Sequence, residues 1–94
     1  MSVDIHVVRL AMDDPLIFDV TLREGKSETR HRVSLSKEDH ARLGGGAQGE
    51  AVITAAFRFL LDREPKEAIL ARFDVSVISR YFPEFETTLA RDLG

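Results

Sequence analysis

Residues Glu50 to Asp62 read EAVITAAFRFLLD, in which Thr54 and Arg58 are the only polar residues between the two acidic ends. A helix here would be apolar on almost every side, and such a helix is a buried one. Its thirteen residues fall well short of the about 20 needed to span a bilayer, so its cover is expected to be protein: the rest of the chain, a second copy, or both. The remaining sequence is read for what can wrap this segment.

Upstream, the clearest signal is a pair of alternating runs. Phe18, Val20 and Leu22 alternate with Asp19, Thr21 and Arg23, and after Glu24-Gly25-Lys26-Ser27 a second run sets Thr29, His31, Val33 and Leu35 on one face. Gly25-Lys26 suits a two-residue turn with glycine first, as a type II′ turn prefers. Phe18 then faces Val33, Val20 faces His31 and Leu22 faces Thr29, while Asp19 meets Arg32 and Arg23 meets Glu28 on the other side. A slip of one residue would lose both the apolar and the charge match, so this register is strongly specified. Val3 to Leu10 alternates, with a phase shift at Val8 and Leu10 that suggests a bulge. Asp13-Asp14-Pro15 is turn chemistry. The expected strands are thus about 3–10, 16–23 and 28–35, an antiparallel sheet of two or three.

Downstream the signals are helical. Ser36 with Asp39 approximates a capping box for a helix over about 37–43, ended by Gly44-Gly45-Gly46. Beyond the central helix 50–62, Pro65 suits the first turn of a helix over about 65–73. Asp74 can cap another helix through Phe82, and Phe85, Leu89 and Leu93 mark a last one. Strands first and helices after indicate an α+β domain, one unit over residues 1–94, with four to five helices packed around helix 50–62.

Composition narrows the function classes. The net charge of −3 and pI near 5.5 argue against broad attraction to nucleic acid or anionic lipid. The absence of cysteine excludes thiol nucleophiles, thiolate metal sites and disulfides, and permits a cytoplasmic setting. The N-terminal MSVDIHVVRL has neither a basic leader nor an uninterrupted apolar run, so neither a signal peptide nor a membrane anchor is expected. His6, His31 and His40 show no helical metal spacing, and Ser, Thr and Tyr have no evident base partner. The glycines at 44–49 precede a helix but lack the Lys-Ser/Thr of a P-loop, and Glu50 would oppose an anion. No catalytic residue, cofactor or metal is expected, and the chain is read as a non-enzyme.

Ile69 to Phe82 superficially follows a helix-turn-helix pattern, over residues 66–82. Leu70 stands where a small residue is wanted and Asp74 where glycine is; without a gap, recognition-helix core positions fall on Arg80 and Pro83. A second nucleic-acid option is the outer hairpin face with Arg23, Arg30 and Arg32, partly neutralised by Asp19 and Glu28.

The run Arg63-Glu64-Pro65-Lys66-Glu67-Ala68-Ile69-Leu70, Phe73, and Ile78-Ser79-Arg80-Tyr81-Phe82-Pro83-Glu84-Phe85-Glu86 resembles a pattern in short, uncharacterised bacterial proteins of about this length. The resemblance covers roughly the C-terminal third and implies a self-standing bacterial domain with no catalytic residue to carry over. The favoured expectation is a small non-enzymatic protein that contacts an unidentified protein partner or a second copy of itself. Arg80, Tyr81, Phe82 and Phe85 are its candidate contact residues, since aromatics and arginine are enriched at interface centres. The alternative is that these aromatics complete the monomer core.

Overall fold

The computed structural model describes residues 3–93; residues 1 and 2, which begin the N-terminal stretch read above as free of a leader, and residue 94 lie outside it. Strand β1 (Asp4–Ala11) leads by a turn with a cis Asp14–Pro15 peptide into the hairpin of β2 (Leu16–Glu24) and β3 (Ser27–Leu35). Helix α1 (Lys37–Gly44), helix α2 (Gly49–Leu61), a single 3₁₀ turn at Lys66–Ala68, strand β4 (Arg72–Asp74) and helices α3 (Ser76–Tyr81) and α4 (Phe85–Leu93) follow. The strands form one mixed sheet in the order β1-β2-β3-β4, with β4 parallel to β3.

The hairpin adopts the pairing that the alternation requires: Phe18 opposes Val33, Val20 opposes His31, and Asp19 opposes Arg32. Gly25 opens the turn at φ 61°, a conformation that costs a side chain with a Cβ. In β1 the register shifts between Arg9 and Ala11, and unbroken alternation along the strand points Val8 and Leu10 to solvent while Ile5 and Val7 pack against the core. Ser36 caps α1 by accepting a hydrogen bond from the Asp39 N–H at 3.0 Å, and Gly45 ends it in the left-handed region.

Helix α2 buries Val52, Ile53, Ala56, Phe57, Phe59 and Leu60 against the inner face of the sheet, where Phe18, Val20, Leu22, Val33 and Leu35 stand. Phe85 and Leu89 of α4 close the far side. The helix shows solvent only a strip through Ala51 and Arg58. Full burial of one large aliphatic or aromatic side chain contributes about 1.5–3 kcal/mol, so this cluster is the main source of stability.

The chain remains α+β, but two expectations about its parts are overturned. The sheet has four strands and is mixed, rather than two or three antiparallel strands. The helix expected over 65–73 does not form; one 3₁₀ turn gives way at Ile69 (φ −78°, ψ 134°) to extended backbone and β4. A nine-residue helix is marginal by itself, whereas the extended path satisfies backbone groups on the open edge of β3. The Arg32 N–H donates to the Ala71 carbonyl at 2.7 Å and the Val75 N–H donates to the Ser34 carbonyl at 3.0 Å. The helix-turn-helix over 66–82 fails with it, because its first helix is a strand and its second, α3, has six residues.

Candidate functional site

Two features of the strand β4 region concentrate exposed chemistry. His31 explains why the strand sits where it does. It is buried on the inner face of β3 beside Phe57, with ring centroids 5.5 Å apart. Its Nδ1 lies 2.7 Å from the Leu70 carbonyl, which only accepts, so Nδ1 carries a proton; Nε2 lies 2.8 Å from the Thr29 hydroxyl. The histidine thus ties residue 70 to the hairpin. Lys66, also covered, lies against Glu67 and within 3.5 Å of Glu24, and fixes the 3₁₀ turn beside the hairpin tip.

This return of the chain opens a groove of about 250 Å³, bounded by the end of α2, β4 and α3. Ile69, Phe73, Val77 and Phe82 give it apolar walls, with Glu64 as its acidic member. Leu70 and Tyr81 stand at its margin, 54% and 71% exposed. Below, Phe59 meets Phe82 edge-on at 5.7 Å and Phe85 at 5.0 Å, and the Arg63 guanidinium lies 3.6 Å over the Phe59 ring. That stacking is a cation–π contact.

The four residues named from sequence therefore do not share one surface. Arg80 and Tyr81 are exposed and Phe82 is half-buried in the groove, but Phe85 is fully buried beneath Phe59 and belongs to the core. Leu70, which a helix over 65–73 would put on a helical surface, stands instead at the groove margin.

The second feature is the sheet face opposite the helices. Arg32 pairs bidentately with Asp19 (2.9 and 3.3 Å), and Glu28 accepts from Arg23 at 2.8 Å and from Arg30 at 3.3 Å. The hydrogen bond from Arg32 holds the Asp19 carboxyl below the usual range, with Arg30 and Arg72 adding to the effect. Hydrogen bonds from Arg23 and Arg30 do the same for Glu28. Sequence reasoning found Arg23, Arg30 and Arg32 but not Arg72, which reaches this face only through β4 and stands directly beside Arg32.

The remaining candidates have structural partners. His40 Nε2 lies 2.7 Å from the Ala47 carbonyl, and Glu50 accepts from Arg9 of β1 at 3.1 Å, which lowers its pKa. Among the described residues no group of three His, Asp or Glu side chains is arranged to hold a metal ion, and no helix is long and apolar enough to cross a membrane. Comparison with protein-family models, curated proteins and solved structures gives no match.

Proposed function

We propose that this chain is a non-enzymatic interaction module that uses the groove between α2, β4 and α3 to grip an apolar segment of a protein partner. One observation carries the reading: apolar walls of Ile69, Phe73, Val77 and Phe82 open to solvent between two large exposed side chains, Leu70 and Tyr81. Burying both side chains under a partner is the arrangement expected of interface anchors. Leu70→Asp and Tyr81→Ser test the reading in a peptide-display selection on the intact chain. Peptides that bind the native protein and lose binding to both variants support it; selected peptides that bind the variants equally well refute it.

Self-association is a second reading with an observation of its own. Strand β1 is the edge of the sheet, and its outward Val8 (56% exposed) and Leu10 stand beside exposed Met12. A long edge strand with apolar side chains is a template for pairing with another chain. Light scattering over a concentration series tests it: a dimer that Val8→Lys dissolves supports pairing through β1, and a strict monomer throughout excludes it.

A further inference from the structure

We infer that the outer face of the sheet carries a binding site for a phosphate group, formed by Arg30, Arg32 and Arg72 around a shallow cavity of about 300 Å³ that Thr21 and Asp19 also line. This site is separate from the groove and stands or falls independently of it.

The case begins with register. Arg32 and Arg72 are direct partners across the parallel β3–β4 pair, and Arg30 lies two residues from Arg32 on the same face. Like charges placed directly opposite one another destabilise a sheet. Asp19 answers Arg32, and Glu28 is shared between Arg23 and Arg30. Arg72 forms no ion pair among the described residues. On β2, β3 and β4 these four guanidiniums stand against three carboxylates, Asp19, Glu28 and Asp74, an excess of one positive charge that lies at Arg72. Asp4 lies aside, opposite Arg23 at the far corner, and Asp74 keeps its charge while it accepts from Ser34 and from the Ser76 N–H. The Arg30 side chain is 82% exposed, and its bond to Glu28, at 3.3 Å, is the longest that Glu28 accepts.

Guanidinium groups present forked donors that match the oxygens of phosphate, and hydrogen bonds between charged partners are the strong ones. Three guanidiniums around one cavity offer donors to three terminal oxygens, which a phosphomonoester has and a diester does not. The face gives a nucleic-acid base little to stack on: among the described residues its one aromatic ring is His6 of β1, opposite Thr21.

The test is a ¹H–¹⁵N titration of the full chain with inorganic phosphate at about pH 7.5, where a phosphomonoester with its second pKa of about 6 is a dianion, with ionic strength held constant by sodium chloride. Phosphoserine peptide and a short phosphodiester oligonucleotide form parallel arms. The site predicts saturable shifts at the amides of Thr21, Arg30, Arg32 and Arg72, caused by phosphate and by phosphoserine. Arg72→Gln is expected to weaken binding about tenfold, the loss of one charged hydrogen bond. Arg30→Gln serves the same purpose if Arg72→Gln disturbs β4, and Asp19→Asn, which removes a competing anion, is expected to tighten binding several-fold. A linear response, shifts elsewhere, unchanged affinity in both arginine variants, or tighter binding of the oligonucleotide than of phosphoserine at these residues would overturn the assignment.

Discussion

Gly49 lies against the ring of Phe18, so closely that a Cβ on Gly49 would fall 2.8 Å from Phe18 Cζ and 3.4 Å from Leu16 Cδ1. The first residue of α2 is thus glycine for want of space, since its φ is not in the left-handed region. Phe18 is fully buried and cannot swing aside. Gly49→Ala gains helix propensity but overpacks the junction of β2 and α2, a type of change that costs about 1–3 kcal/mol. Thermal or urea unfolding should show a net loss; an unchanged or raised midpoint would contradict the packing described.

His31 links hairpin and return strand through both ring nitrogens. His31→Ala removes buried ring volume and leaves the Leu70 carbonyl without this donor, for a cost of about 2–4 kcal/mol. The loss should be local before it is global. Amide exchange at Arg32 and Val75, whose N–H groups hold the two ends of β4, is expected to accelerate more than exchange in the β1–β2 ladder. Equal acceleration throughout would show that the histidine serves the whole core rather than the strand.

Legibility in the sequence followed the range of the forces. The hairpin register was readable because apolar and charged partners repeat at period two, and Phe18–Val33, Asp19–Arg32 and Arg23–Glu28 all agree on one alignment. Helix α2 was readable because its residues are apolar whichever face is turned inward. Strand β4 was not. Arg72-Phe73-Asp74 has no alternation of its own, and its conformation is imposed by the edge of β3, about forty residues away in sequence. The groove and Arg72's place beside Arg32 are consequences of that pairing, so both were invisible with it. The fate of the aromatics was half legible: Phe85 begins the Phe85-Leu89-Leu93 stripe that turns α4 inward, whereas Tyr81 shares its side of α3 with Val77, on the groove, and is 71% exposed.

Asp74 gives the fold a signed dependence on pH. Burial raises its pKa, but the hydrogen bonds from the Ser34 hydroxyl at 2.6 Å and from Ser76 outweigh burial and leave it below the ordinary value of 3.8. Because the folded value is the lower one, the contribution is complete above the unfolded pKa and disappears as pH falls through the folded pKa. Asp19, Glu28 and Glu50 are lowered by their arginine partners and act in the same direction. Asp74→Ala should therefore lower the melting temperature at neutral pH, with the charged hydrogen bonds from Ser34 and Ser76 lost at about 1–3 kcal/mol, and the gap from the native protein should narrow in acid. A gap that stays constant down to about pH 2, below the carboxylate range, would show that Asp74 acts without its charge.

Phe85 and Tyr81, four residues apart, separate core from contact surface. Phe85 is wholly buried against Phe59, and its replacement by alanine leaves a cavity beneath α4, a change that costs about 3–5 kcal/mol. Tyr81 is 71% exposed, and Tyr81→Ser should move stability by no more than about 0.5 kcal/mol. Binding should rank them in the other order. Tyr81→Ser is expected to abolish capture of groove-directed peptides while leaving the melting curve in place. Under conditions where it remains folded, Phe85→Ala is expected to retain capture to the extent that Leu70, Phe73 and Val77 keep their positions. Parallel melting curves and peptide titrations on the two variants distinguish the roles. A Tyr81 variant that unfolds, or one that binds unchanged, would assign the tyrosine to the fold or to neither role, and would remove the aromatic anchor from the proposed groove.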